Sequence, residues 1–434
     1  MKGNREPSKE CAADKETEMR RKKWIADKVS SLFADEVPIK IAAFDGSSAG
    51  NLQSENVLEI KSLLALRYIL SHPGDLGLAR AYITNQLDVR GDIHETLVAL
   101  RDHVRKPMPI DSLAKLTVAV GPSALVRPGL PAEEAPPRYR RGMLHSLTRD
   151  KSAIEHHYDV SNTFYSYILG PTMVYSCAVF NTEQSSLEEA QIEKVDLICR
   201  KLDLKPGMKL LDVGCGWGTL VIHAAKEYGV NAVGVTLSNN QVALARERIS
   251  KANLEGRIDI RLQDYREVPE NDFDAISSVG MSEHVGDSKL DLYFSQLHGR
   301  IKDKGRILNH CITRPHSELK ARTGAFIDRY IFPDGELTAP SRVTQALHNA
   351  GFELRHSENL REHYAKTLAK WCENLNANWD EAVKEVGENR ARIWNLYMQM
   401  SRVGFESNSI QIHQFLGVNN DENGRNALPL RLKF

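Results

Sequence analysis

Leu210-Leu211-Asp212-Val213-Gly214-Cys215-Gly216-Trp217-Gly218 is an apolar run that meets an acid and then passes through Gly-x-Gly-x-Gly into a helical pattern. It reads as a strand turning sharply into a helix. Gly214 and Gly216 reach backbone angles closed to residues with a Cβ and leave the main chain free to lie against a ligand. A pyrophosphate-binding turn spaces its glycines G-x-G-x-x-G. Here Gly218 comes one place early and Asp212 precedes the first glycine. That spacing favours S-adenosylmethionine over a dinucleotide, because the acid can hold the cationic methionine end, directly or through the turn amides.

Outward from this turn the pattern alternates. Candidate strands cover 209–213, 232–237, 258–262, 273–279, 306–312 and 410–415, with helices such as 219–227 and 240–251 between them. Such alternation builds a parallel sheet covered on both faces, with ligands at the carboxyl ends of its strands. Gly214, Thr236, Asp264, Gly280 and His310 all fall at such ends and should converge on one crevice. The predicted fold class is α/β: a Rossmann-like class I S-adenosylmethionine-dependent methyltransferase core over 151–434, with a smaller N-terminal α+β domain.

At 434 residues and 26% charged, the chain is too long for one ordinary core and too mixed to be disordered. Lys plus Arg and Asp plus Glu balance at 57 each, so the molecule has no long-range field for nucleic acid or an anionic membrane. Nucleic acid is therefore not expected as a partner. The six cysteines form no Cys-x-x-Cys pair, and the polar N-terminus lacks the apolar stretch of a secretion signal, so a reduced, cytoplasmic setting is expected. No apolar run is long enough to cross a bilayer; even Leu63-Leu64-Ala65-Leu66 is broken by Arg67. A lipid substrate would have to be met from the membrane surface.

Residues 1–20 read as a disordered tail. Over 21–120 a small α+β domain is expected. Trp24, Ile25, Val29, Leu32 and Phe33 fall at helical spacing, read as a helix packed on its own domain in preference to one resting on a membrane. Apolar pieces at 38–44 and 57–60, separated by Asp45-Gly46-Ser47-Ser48, read as a hairpin, and helical patterns follow over 63–104. Residues 121–150 hold Pro122, Pro128, Pro131, Pro136 and Pro137, then Arg138, Arg140 and Arg141. This is a stiff linker whose basic end either meets phosphate headgroups or is simply solvated.

Several residues can carry chemistry. Thr236-Leu237-Ser238 with Gln241 follows the second strand, where a dehydrogenase would place an acid and none is present; Thr236 and Gln241 can hydrogen-bond a ribose, and Gln263-Asp264 can reach an adenine. Glu283, after the fourth strand, can be a base, a ligand for a group acting as base, a counter-charge, or a helix cap. His284 beside it reads as a structural hydrogen-bonding residue. His156-His157 points two ways and no Cys or carboxylate completes a set, so no metal is assigned. Aromatics are dense over 158–165 and 172–177, a segment able to lid a site. Cys177 invites a nucleophile reading, against which stand the absence of a nearby His partner and the fact that attack on an alkyl sulfonium needs no covalent enzyme intermediate.

Together these residues resemble the cyclopropane fatty acyl phospholipid synthase and mycolic acid methyltransferase family. The matching pieces are His157-Tyr158-Asp159 with Ser161-Asn162, Tyr175-Ser176-Cys177, Asp212 to Gly218, Gly234-Val235-Thr236-Leu237-Ser238 with Gln241, Gln263-Asp264-Tyr265-Arg266, Glu283-His284-Val285-Gly286, and Tyr330-Ile331-Phe332-Pro333 with Gly335. The resemblance implies methyl transfer from S-adenosylmethionine to the cis double bond of an acyl chain. Tyr175, Ser176, Asp212, Gly214, Gly216, Gly218, Thr236, Leu237, Ser238, Gln241, Gln263 and Asp264 form the implied cofactor site. It also implies a bound bicarbonate as base, with Cys177, Glu283, His310, Ile312 and Tyr364 standing where the family places that ion's ligands. The implied partner is an unsaturated acyl phospholipid, met by a protein peripherally associated with the inner face of the membrane. The approach over 144–159 looks more like the actinobacterial branch that makes 10-methylene chains, precursors of tuberculostearic acid, than like the cyclopropane makers. That branch implies a separate flavin- or NADPH-dependent reductase; a homodimer is left open. An NAD(P)-dependent oxidoreductase and a non-catalytic lipid-binding protein on a methyltransferase scaffold are the competing readings.

Overall fold

The computed structural model describes residues 24–33, 37–103, 110–121, 126–136, 161–317 and 323–434. The tail 1–20, the arginines Arg138, Arg140 and Arg141, and the approach over 144–159 lie outside them. The described chain divides into two compact units, one ending at Glu134 and one beginning at Ala135.

In the second unit the strands β5 (Lys209–Val213), β6 (Asn231–Thr236), β7 (Ile258–Leu262), β8 (Phe273–Val279), β9 (Ile301–Thr313), β10 (Phe352–Asn359) and β11 (Gln411–Asn419) form one sheet in the order β10-β11-β9-β8-β5-β6-β7. β7, β6, β5, β8 and β9 run parallel, and β11 and β10 close the edge antiparallel. Successive side chains of a strand point to opposite faces, so Leu210 and Leu211 enter different cores. The Leu210 face packs the helices Leu187–Leu202, Thr219–Tyr228 and Asn239–Lys251; the Leu211 face packs Leu290–His298 and Pro340–Asn349. Burial on both sides explains why the central strands are nearly continuous apolar runs. The same alternation puts Asp212 on the Leu210 face, toward the helix Leu187–Leu202.

Between β10 and β11 the chain inserts three helices, Arg361–Ala377, Trp379–Val386 and Glu388–Glu406. The first two pack against the short helix Asn162–Leu169 and the third against them, so an α-helical cap stands over the sheet's end. The sequence reading had no counterpart for this cap or for β10.

The first unit is α+β, with a four-stranded sheet in the order β2-β1-β3-β4: β1 Lys40–Ala43, β2 Ser48–Gly50, β3 Val57–Ile60 and β4 Leu87–Arg90. Here the hairpin expectation is corrected. β1 turns back into β2, and 57–60 lies parallel to β1 on its other side. The cause is the turn itself. Asp45 accepts from the Ser47 amide at 3.0 Å and from Ser47 Oγ at 2.6 Å, and Gly46 takes φ +80°, which reverses the chain within four residues. The helical run expected over 63–104 is likewise interrupted by β4. The helix Ile25–Ser30 packs on β1 and β2 with Ala26 and Val29 buried, and Asp45 Oδ2 accepts from the Trp24 and Ile25 amides at its start. Its apolar face is thus used inside its own unit.

Arg80 and Glu134 form a bidentate pair at 2.7 Å with side chains only 3% and 0% exposed. Removing one partner of such a pair strands a buried charge. Glu134→Ala is therefore expected to destabilise the first unit by about 3–5 kcal/mol, read as a lowered unfolding transition in the full chain. A shift no larger than that of an exposed substitution would show the pair to be solvated.

Candidate active site

At the carboxyl ends of β5 to β9 lies a cavity of about 300 Å³. The turn after β5 supplies Asp212, Gly214 and Gly216; the segment after β6, Thr236, Leu237 and Gln241; and that after β7, Gln263 and Asp264. Glu283 follows β8, His310 and Ile312 belong to β9, Tyr175 and Ser176 precede the helix Leu187–Leu202, and Tyr364 descends from the cap. One crevice thus gathers fourteen of the residues singled out from sequence.

Three do not line it. Gly218 (φ +80°) caps the helix Thr219–Tyr228, where a Cβ would stand 3.2 Å from Ala245 Cβ. Ser238 caps the helix Asn239–Lys251 by accepting from the Gln241 amide at 3.3 Å. Both shape the cavity without facing it. Cys177 is fully buried behind the wall, its thiol against the carbonyls of Ala178 and Leu360, and burial pushes that thiol's pKa up. A protonated, enclosed thiol is no nucleophile. Anything Cys177 offers a bound ion would have to come from its main chain.

The polar groups that follow β6 and β7 are more committed internally than their sequence implied. Thr236 Oγ1 donates to Gln241 Oε1 at 2.6 Å, which leaves Gln241 its amide nitrogen as the group to offer a ribose. Asp264 accepts from Arg266 Nε and Nη2 at 2.8 and 2.7 Å, and Gln263 Nε2 donates to the Glu267 carbonyl at 2.9 Å. The two glycines of the turn differ in kind. At Gly214 (φ +78°) a Cβ would fall 2.6 Å from Met281 Cγ, whereas at Gly216 (φ +54°) it would meet nothing within 4 Å and would stand in the open cavity.

Glu283 Oε1 accepts from the Ile312 amide at 2.7 Å, so Ile312 is engaged through Glu283. Glu283 Oε2 is buried without a hydrogen-bond partner, and so are both ring nitrogens of His310. Burial raises the Glu283 carboxyl to about 7 against the pull of the Ile312 amide. Burial also drives His310 well below the usual imidazole range, helped by the charges of Lys194 and Lys201. His310 is therefore a neutral imidazole, with one donor and one acceptor to offer. Buried polar atoms without a protein partner are costly unless a ligand or water satisfies them, so these atoms can take a small polar group.

Part of the cavity wall is aromatic. Tyr175, Trp217, Phe332 and Tyr397 line the cavity, and Trp371 and Trp394 pack against Tyr175 with tilted rings at centroid distances of 5.4 and 5.8 Å. Tyr175 is the part of the aromatic-rich segment that faces in; Phe164 and Tyr165 are buried among the other rings as support. Tyr397 and Lys194 line the cavity and were not anticipated; Phe332, from the Tyr330-Ile331-Phe332-Pro333 match, and Met281, which opens the Glu283 segment, line it too. For Lys194 a signal was present: it follows Gln191 by three residues and precedes Ile198 by four, a lysine in the middle of a buried helical stripe.

Residues 145–415 match the family described as mycolic acid cyclopropane synthetase. The chain is 44% identical over 402 residues to the probable fatty acid methyltransferase Rv3720 of Mycobacterium tuberculosis, covering 91% of this chain and 94% of that protein. With the cyclopropane-fatty-acyl-phospholipid synthase of Escherichia coli it shares 37% identity, over 62% of this chain and 68% of that one. The solved structure of mycolic acid cyclopropane synthase CmaA1 complexed with SAH and CTAB is similar at TM-score 0.59 and 34% identity, covering 62% of this chain and 98% of that chain. With a glycine-rich turn, a crevice and a partner-seeking carboxylate and imidazole all inside the matched stretch, the chain belongs to the mycolic acid cyclopropane synthetase family, the S-adenosylmethionine-dependent methyltransferases of lipid acyl chains.

Proposed function

We propose that the chain transfers the methyl group of S-adenosylmethionine to the cis double bond of a mono-unsaturated acyl chain carried by a phospholipid. The observation that carries this reading is the pairing, in one cavity, of an apolar aromatic wall with the unpartnered Glu283 Oε2 and His310 nitrogens. S-adenosylmethionine supplies an electrophilic methyl on sulfur. An alkene is a poor nucleophile and the product of its attack is a carbocation, so the chain must align the two reactants and exclude water. Tyr175, Trp217, Phe332 and Tyr397 line the cavity, where aromatic rings help exclude water and can stabilise positive charge.

A proton must then leave. The residues present fit a bicarbonate ion held as the base: Glu283 with its raised pKa can keep a proton on Oε2, His310 can donate from one ring nitrogen, and the Tyr364 hydroxyl lines the same cavity. Neutral His310 and a protonated Glu283 add no competing negative charge to that corner. Among the described residues no helix is long and apolar enough to cross a membrane.

For the product, the reading is a methylene branch. Two relatives that cover 91% of this chain are named probable fatty acid methyltransferases, while the Escherichia coli relative named a cyclopropane synthase covers 62%. A separate flavin- or NADPH-dependent reductase would then saturate the branch. Expression in a host lacking its own cyclopropane synthase, with fatty acid analysis by mass spectrometry and proton NMR, is expected to give a chain one methylene unit heavier with olefinic protons. The same mass without olefinic protons means cyclopropanation and overturns the branched product.

A further inference from the structure

Lys194 is a lysine where a lysine is expensive. It sits on the inward stripe of the helix Leu187–Leu202, is 3% exposed, and lines the cavity beside Ser176 and Asp212. Its Nζ donates to Ser176 Oγ at 3.1 Å, and among the described residues no carboxylate stands in ion-pair contact with it. An ammonium carries three donors, so two remain. Asp212, on the same face of the sheet, is also buried, and its Oδ1 accepts from Ser277 Oγ at 2.7 Å. The two groups feel each other's charge without touching: burial lowers Lys194 to about 8 against the attraction of Asp212, and burial raises Asp212 to about 6 against Ser277 and Lys194.

A buried cation and a buried anion that are not spent on each other are costly to keep. They become favourable when a ligand brings the complementary pair. One end of the cavity thus offers a positive and a negative group, side by side, to a zwitterion. An α-amino acid is such a zwitterion, and S-adenosylmethionine ends in one.

Resting on the reading of this cavity as the S-adenosylmethionine site, we propose that Lys194 is the group that binds the α-carboxylate of the cofactor's methionine end, with Asp212 facing its α-ammonium. Ser176 positions the Lys194 ammonium. The helix Leu187–Leu202 is then a binding element of the site as well as a layer of the fold.

Calorimetric titration of the full chain with three ligands tests this: S-adenosylhomocysteine, its decarboxylated analogue, which keeps the amine, and 5′-methylthioadenosine, which lacks the whole amino-acid end. Wild type is expected to prefer S-adenosylhomocysteine over the decarboxylated analogue by about 10- to 100-fold, the worth of a charge-assisted bond. Lys194→Met should erase that preference by weakening S-adenosylhomocysteine alone, leaving the decarboxylated analogue and 5′-methylthioadenosine within about twofold of wild type. Lys194→Gln, which retains a donor toward Ser176, gives the same comparison should the Met variant fail to fold. Equal weakening of all three ligands in a folded variant, or no preference in wild type, overturns the assignment. If wild type binds none of the three, the cofactor reading of the cavity fails first.

Discussion

Glu283→Gln is expected to lower turnover by about 10²-fold or more while S-adenosylmethionine affinity stays within about twofold of wild type, the signature of a lost proton-transfer system in an intact binding site. The substitution is nearly isosteric, and the amide oxygen of a glutamine can still accept from the Ile312 N–H that Glu283 Oε1 now receives at 2.7 Å. What disappears is the ability of Oε2 to hold or give up a proton, in a corner where burial has brought the carboxyl to about 7. His310→Ala and Tyr364→Phe should fall in the same class, because each removes a polar group lining that corner. Single-turnover rates with bound cofactor separate this from a binding defect. Near-normal rates in all three variants would place the base elsewhere.

The second large effect concerns the turn. Gly216→Val and Asp212→Asn are each expected to weaken S-adenosylmethionine by about 100-fold or more, as a blocked cavity and a lost charge-assisted contact require. Gly216 is the sharper probe. A Cβ there meets no protein atom within 4 Å, so the added bulk starts in the cavity; the φ of +54° adds a strain of about 1–2 kcal/mol for a residue with a Cβ. At Gly214 the new atom would instead press on Met281 Cγ at 2.6 Å, so a loss there mixes occlusion with distortion. Asp212→Asn keeps a partner for Ser277 Oγ and removes only the charge. Thermal unfolding of the unliganded variants checks that the chain is folded. Unchanged affinity in both would remove the cofactor from this turn.

The central sheet was legible because its strands are buried on both faces. β5, β7 and β8 were readable residue for residue, and β6, β9 and β11 were found with displaced ends. β10 was not, for a physical reason: as the edge strand it buries fully only Phe352, and Glu353, Arg355, Ser357 and Asn359 give it the polar look of a loop. The hairpin in the first unit was misassigned because two apolar pieces near in sequence were paired, whereas the Asp45–Ser47 turn had already reversed the chain into the three-residue β2.

At the site, residues marked by motif were visible and residues marked by position were not. The glycines, Asp212 and Glu283 carry local signatures. Tyr397 reaches the cavity only because the helical cap between β10 and β11 folds over it, which no local pattern announces. Conversely, Ser238 and Gly218 sit in the right motifs but spend themselves on helix caps. Lys194 was readable in principle, as a charge inside an apolar stripe, and its meaning appears only when β5 brings Asp212 to the same end of the cavity.

One measurement bears most directly on the whole account. Purified chain incubated with methyl-labelled S-adenosylmethionine and vesicles of dioleoyl phosphatidylglycerol, with dipalmitoyl vesicles beside them, is followed by mass spectrometry of the extracted acyl chains. Methyl gained and proton lost leave the oleoyl chain one labelled methylene unit heavier, with S-adenosylhomocysteine formed in equal amount and the palmitoyl chain untouched. Label in neither lipid, or equal label in both, would contradict methyl transfer to an acyl double bond.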